Sequence, residues 1–517
     1  MTIIADKHTP AATSKRMENI IFLLVLFGFQ IFMVVLYGVW VRYDYNERNG
    51  DNAIGDDTAV QRDVNSHYGY FRDINIMIFF GFGFLMTFLR RYGYSSLGYT
   101  FLVSAMVAQW SILVWGFFET AHHGHGFDKL YFNMSYMLNG LFCAGAVMIS
   151  YGGVLGKVTP LQMIIMGIVE PIFFFFNMYI GELKLEAIDV GGGLYIHLFG
   201  CYFGLTLCWF LTDRHAKDSE DNSPSYNGDL FAMAGTLFLW MMWPSFNAAI
   251  APSGDPQFRA IANTFLSLTG STIATFLVSR LLGHAGHKLD MVHVQNSALA
   301  GGVVQGCCAH MNLNPGGAIG MGFIVGVISV LGYVYLTPII TRKLNIQDTC
   351  GINNLHGIPG FIGCIATVVA AQHGLNNKDL YGEQEFLAIF RAGDDQAKNN
   401  AAATFITIGV AIFGGIVTGC LMLLVKKIGG LKKGEHFNDS VFWHVPIDYP
   451  RDLDTVAADG HAYGLEDGGV EMTPKKDNDS DYSESERKSN RKRNSTEVKT
   501  DFGEKIAGEE GSPSNQA

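Results

Sequence analysis

The chain has 517 residues, of which 49% are hydrophobic and only 16% charged, against about 25% in soluble domains, and its formal net charge is −11. That balance excludes an ordinary soluble domain and points to a polytopic membrane protein. With no basic groove interleaved with aromatics, it also gives no sign of a nucleic-acid partner.

Apolar runs long enough to cross a hydrocarbon core of about 30 Å fall at 20–41, 72–89, 95–117, 134–155, 160–180, 190–211, 229–250, 260–281, 291–308, 317–339, 350–371 and 401–426. This gives an all-α chain with twelve transmembrane helices, of which 291–308 is the weakest because it is short and rich in glycine. The first run is too long for a signal-peptide core and no small-residue cleavage site follows it, so it reads as a retained helix. Basic residues (Lys7, Lys15, Arg16, Arg90, Arg91, Lys157, Arg214, Lys217, Arg280, Lys288, Arg342, Lys343, Lys426, Lys427) fall before the first run, after the last and in alternate loops. The positive-inside rule then places both termini in the cytoplasm. The opposite loops, 42–71 and 372–400 among them, are acidic or nearly neutral. Residues 1–19 read as a cytoplasmic N-terminus, 20–426 as the transmembrane domain and 427–517 as a cytoplasmic tail. Its last part, 472–517, has almost no large apolar residues and should be disordered. SDYSESERKSNRKRNS within it offers phosphorylation sites, with a plain solvated tail as the alternative.

One arrangement occurs twice. Asp189 is followed eight residues later by His197 in DVGGGLYIH, and Asp348 by His356 in DTCGINNLH. Each pair opens an apolar run. A central charge in a membrane helix costs about 2.5–3.5 kcal/mol on insertion scales and usually faces a cavity or partner. With twelve crossings the two helices enter from opposite faces, as an inverted repeat with a site at its interface requires. The plain alternative is two helix caps and two core histidines. Eight residues of helix is about 12 Å of rise, which puts both imidazoles near the midplane. There a donor and an acceptor on each ring suit a small polar solute or a proton relay. No third ligand of matching depth is apparent, so no metal and no cofactor is expected.

Other candidates are weaker. His122, His123 and His125 form an HHGH run in an outer loop, short of a metal set and of the further His clusters a membrane di-iron enzyme needs. The eight cysteines (Cys143, Cys201, Cys208, Cys307, Cys308, Cys350, Cys364, Cys420) lie in or beside apolar segments without a C-x-x-C pair, so no disulfide framework is read. Of the sequons at Asn133, Asn438 and Asn494, the last two fall on the cytoplasmic side and the first lies too close to a helix for easy glycosylation.

The runs FRDINIMIFFGFGFLMTFLRRYGYSSLGY (71–99), DLFAMAGTLFLWMMWPSFNAAI (229–250), MVHVQNSALAGG (291–302) and LGYVYLTPIITRKLNIQDTCGINNLHGIPG (331–360) resemble the Rh branch of the ammonium transporters. The resemblance covers about residues 20–425. It implies the ammonium transporter fold, with eleven helices in two inverted halves plus an extra N-terminal helix, assembled as a homotrimer with one pore per subunit. It implies a channel, not an enzyme, that passes ammonia taken from ammonium at a vestibule. His197 and His356 match the family's pore histidines. Phe142 and Phe246 match two stacked phenylalanines that close the outer pore mouth. Asp189 matches the acidic residue below the outer vestibule and Asp348 its counterpart, while Asn247 follows the second phenylalanine as in the family. Two departures stand out. Ile250 occupies the place of a recruiting serine and no tryptophan is apparent on the fifth run, so the outer cation-π cage is absent. Met178 stands where many Rh proteins carry an acidic residue. Two alternatives stay open: a carbon dioxide or mixed gas channel in the same lipid-embedded architecture, and a membrane sensor with a signalling tail. The plasma membrane is the expected location, with an internal vacuolar membrane as the alternative.

Overall fold

The computed structural model describes residues 10–43, 57–124, 128–282, 287–446 and 449–450. His125, Asn494 and the 472–517 segment lie outside the described residues, so the readings placed on them stand as expectations. In a bilayer the backbone must satisfy its own hydrogen bonds, and the chain does so almost wholly with helices. The first, α1, spans Pro10–Trp40. Next, α2 opens at Asp57–Ile76, passes a π turn at Met77–Gly81 and closes in a 3-10 turn at Met86–Phe88. The next four are α3 (Gly93–His122), α4 (Met134–Val154), α5 (Pro160–Met178, extended by a π turn to Lys184) and α6 (Gly193–Leu211). They are followed by α7 (Tyr226–Ala248), α8 (Asp255–Leu282), α9 (Met291–Ser297) and α10 (Ala300–Gln305). The last three are α11 (Pro315–Leu344), α12 (Asn353–Asn376) and α13 (Gln396–Gly429).

Ten described helices are long and apolar enough to cross a membrane. The other two segments of the sequence count are α7, a 23-residue helix, and the pair α9–α10. The expected run at 291–308 is broken at Ala298–Leu299 into these two half-helices. Helix α2 begins at Asp57, well before the apolar stretch that signals it. Caps set several ends. Thr159 and Gln162 form a reciprocal capping box before Pro160. Asp290 caps α9 through the amides of Val292 and His293.

The sequon residue Asn133 is itself a cap, accepting a hydrogen bond from the Tyr136 amide at 3.2 Å. A short parallel strand pair, Val41–Tyr43 with Leu130–Phe132, ties the end of α1 to the segment before α4.

The compact unit does not stop at 427. Helix α13 runs to Gly429, and the residues after it fold back onto the bundle. Phe437 is fully buried against Gly156, and Trp443 packs over Gly98 with its Nε1 donating to Ser95 Oγ at 2.9 Å. Charge composition alone marks this stretch as tail. A few large side chains suffice to dock it.

Candidate functional site

The repeated signature is built the same way twice. Asp189 accepts hydrogen bonds from the amides of Leu194 (3.0 Å) and Tyr195 (2.7 Å). Asp348 accepts from Ile352 and Asn353, both at 2.9 Å. Three residues after each aspartate a glycine takes the left-handed conformation, Gly192 at φ 70° and Gly351 at φ 73°, where a side chain would be strained. Each histidine then sits in a π turn, Gly193–Leu198 or Asn353–Gly357. Such turns often mark functional sites.

The two units point in opposite directions. Asp189 lines a cavity beside Ser135 and Tyr136, at the start of α4. Beyond Asp348, the amides of Thr349 and Cys350 bond to Gly153 and Gly152 at the other end of α4.

They meet at the histidines. Nδ1 of His197 lies 3.1 Å from Nδ1 of His356, with ring centroids 5.2 Å apart and planes 11° from parallel. Both are buried, and His197 Nε2 has no protein partner. A line of aromatic rings runs through the pair. Phe142 meets Phe246 at 4.9 Å, Phe246 meets His197 at 5.9 Å, and His356 meets Phe82 at 6.3 Å. The two phenylalanines are not stacked, as the resemblance implies, but edge to face at 73°, the arrangement their ring quadrupoles favour. Trp243 flanks the line, 5.5 Å from His197 and 27° from its plane. Gly302 makes room for it, since a Cβ there would sit 2.5 Å from the indole.

Above Phe142 is an open cavity of about 560 Å³. Glu119, Glu182, Asp189 and Arg391 line it, together with Trp115, Met178 and Ile250. Glu119 accepts a hydrogen bond from the Tyr136 hydroxyl. Trp115 reaches this cavity from α3, not from the fifth run. On the far side of the pair, a cavity of about 20 Å³ lies beside Phe82, Leu355 and His356.

Asn247 is fully buried beside the Gly191 turn. Its Nδ2 donates to Thr264 Oγ1 (2.9 Å) and Gly302 O (3.0 Å), and its side chain backs the Gly191 turn. Of the HHGH run, His122 packs edge-on to His123 and Tyr179.

The sequence profile of the Ammonium Transporter Family matches residues 57–439. Rhesus-like glycoprotein B of Dictyostelium discoideum is 67% identical over 464 residues, covering 87% of this chain and 77% of that protein. Ammonium transporter Rh type B of Danio rerio is 45% identical over 432 residues, covering 82% of this chain and 92% of that protein. Among solved structures, Rh50 of Nitrosomonas europaea superposes with a TM-score of 0.65 at 29% identity, over 77% of this chain and 96% of that one. Saccharomyces cerevisiae Mep2 shares the fold alone, with a TM-score of 0.56 at 16% identity over 73% of this chain and 93% of that one.

Proposed function

The chain belongs to the ammonium transporter family, as a multi-pass membrane protein of its Rh branch, and from that premise we propose that it passes neutral ammonia along the ring-lined path through His197 and His356. The observation that carries the reading is the histidine pair itself. Each ring nitrogen holds at most one hydrogen, so a bond between two Nδ1 atoms needs one donor and one acceptor. That leaves His197 Nε2 as a buried polar atom with no protein partner, next to Phe246 in an otherwise apolar line. A buried polar group without a hydrogen bond is costly, and a small polar solute would relieve it.

Ammonium is gathered in the vestibule, where Glu119, Glu182 and Asp189 outnumber the cation Arg391. Glu182 offers a carboxylate one helical turn beyond Met178, where the acidic residue of many relatives is replaced. A bare cation would have to shed its water to pass the close Phe142–Phe246 ring pair, which is expensive. Loss of a proton at that mouth makes the solute neutral. Ammonia then crosses and exchanges hydrogen bonds with the imidazoles, and a metal cation, which has no proton to give up, is refused. The proton stays on the vestibule side, so transport is electroneutral. The assembly we propose is the homotrimer of the family in the plasma membrane, each subunit with its own pore.

The test uses the full chain in proteoliposomes under an ammonium gradient, with lumenal pH and membrane current followed together. Alkalinisation without current is expected. An accompanying inward current overturns the electroneutral step. No acceleration over empty liposomes overturns ammonia as the solute and shifts the assignment to carbon dioxide or a sensor role.

A further inference from the structure

Helix α1 meets the bundle unevenly. Near its start it packs against α13, with Glu18 seated on Gly429. Toward its other end one face is packed, with Met33 buried in a cluster that includes Ile112 and Leu113 of α3 and with Leu36 and Tyr37 against it, and polar contacts are added. Tyr37 donates to Gln109 O at 2.9 Å, Trp40 Nε1 donates to Asp128 O, and the strand pair follows. Between those contacts a groove of about 560 Å³ opens on the outside of the bundle. Phe32, Val39 and Trp40 of α1 form one wall, Trp110 and Phe117 of α3 the other, and Ile172 of α5 the floor. Only 11% of the most apolar part of α1 is buried in protein, so the groove opens onto the bilayer.

Its dimensions match one leaflet. Phe32 to Trp40 is a rise of about 12 Å, as is Trp110 to Phe118, against about 15 Å for half of a 30 Å hydrocarbon core. Its outer end lies on the vestibule side, where α1 and α3 both finish, and Trp40 sits at the level where indoles anchor to headgroups. There Lys129 stands at the rim. Its Nζ donates to Val39 O at 2.7 Å and the side chain is otherwise exposed. Asp128 adjoins it, so the rim carries both signs.

We propose that this groove holds a glycerophospholipid of the vestibule-side leaflet, with one acyl chain between α1 and α3 and its phosphate at Lys129. The apolar walls match the chain, an ammonium at the correct depth matches the phosphate, and the mixed charge at the rim suits a zwitterionic headgroup. The lipid covers the side of the outer half of α1 that the protein leaves exposed, at Phe32 and Val39.

The test uses the full-length protein in mild detergent, exchanged into phosphatidylcholine brominated at mid-chain. Lipid retention is read by native mass spectrometry and tryptophan quenching. The wild-type chain should keep phosphatidylcholine through extensive detergent washing and show slowly reversible quenching. Lys129→Ala should lower retention several-fold. Val39→Phe, which fills the groove from the exposed face of α1 without adding an indole, should abolish slow quenching without loss of ammonia flux or helical signal. Equal retention in both variants overturns the proposal. So does displacement of phosphatidylcholine by cholesterol, which lacks the phosphate. Efficient cross-linking of Val39→Cys between copies in native membranes would mean that protein, not lipid, covers the groove, and would overturn it as well.

Discussion

Nδ1 of His197 and Nδ1 of His356, 3.1 Å apart, share a single hydrogen. With both rings neutral, one is then the Nδ1–H tautomer and the other the Nε2–H tautomer. Two imidazolium rings would set two hydrogens and two charges against each other. His197→Ala or His356→Ala should cut ammonia flux at least tenfold while leaving assembly intact, because the apolar packing around the pair persists. Stopped-flow alkalinisation of proteoliposomes, with size-exclusion profiles as the control, checks this. Wild-type flux in both variants would remove the histidines from the mechanism.

The vestibule carboxylates act at longer range. Glu119→Gln and Glu182→Gln should each raise the ammonium concentration for half-maximal flux a few-fold and leave the maximal rate nearly unchanged, since neither touches the histidines. The effect should shrink above about 0.5 M salt, where the screening length falls well below 10 Å. Initial rates measured across ammonium concentrations at two ionic strengths decide the point.

Two glycines hold the aspartate–histidine turns. At Gly351 a Cβ would meet the Tyr333 ring at 2.2 Å, and the Tyr333 hydroxyl is engaged with Cys350 O at 2.9 Å. At Gly192 the nearest obstacle is Ile196 of the same turn. The left-handed conformation alone costs an alanine about 1–2 kcal/mol. Gly351→Ala should therefore lower the melting temperature more than Gly192→Ala, as read by thermal unfolding in detergent.

Glu170 is fully buried between α4, α5 and α6. Ser150 Oγ has one hydrogen but two oxygens in reach, Glu170 Oε1 at 2.6 Å and Gly200 O at 2.9 Å. A donor at position 170 would satisfy both bonds. Glu170→Gln should keep folding and flux close to wild type. Glu170→Ala leaves a hole while Ser150 Oγ keeps Gly200 O as its acceptor, so the lost packing, about 0.5–3 kcal/mol, is measurable as a lower melting temperature.

Docking of the segment after α13 should respond to pH through His436. Burial holds this imidazole below its ordinary value of 6.5, partly opposed by Asp213, whose Oδ2 lies 3.5 Å from its Nε2; Lys426 and His215 add to the lowering. A base held low when docked takes up its proton more readily when released. The docked form is thus fully favoured above pH 6.5 and loses ground as pH falls below it. Asp439, raised by burial, works in the opposite sense, but only from its ordinary value of 3.8 upward to its shifted one. Amide exchange of residues 435–443 should accelerate between pH 7.5 and 5.5, and His436→Gln should flatten that dependence. An unchanged slope in the variant would move the cause elsewhere.

Sequence order already carried the aspartate–histidine spacing and its inverted repetition, because both ends of each unit lie within one turn-and-helix segment. It could not distinguish Trp243 and Phe82 from ordinary core aromatics, since pore and core ask for the same apolar side chains. Phe142 and Phe246 enter only through the family resemblance, and their edge-to-face contact is set by tertiary packing. Asn247 was carried by the same resemblance and proves to brace the Gly191 turn from behind. The vestibule was least legible, because Glu119, Glu182 and Arg391 come from three separated segments. The docked stretch after α13 was hidden by its composition, in which Phe437 and Trp443 are outnumbered by charged neighbours.

The same docked stretch constrains how the protein comes into being. The start of α3 has no cap of its own. The amides of Tyr94 and Ser95 are met instead by the two carboxylate oxygens of Asp439, each at 2.8 Å, across 344–345 positions of chain. During synthesis this early helix must wait, its first turn frayed or borrowed by water, until nearly all of the pore has been inserted. Completion of the bundle is thus signalled by the segment after α13, and a product released early by the ribosome carries an open helix end for quality control to find.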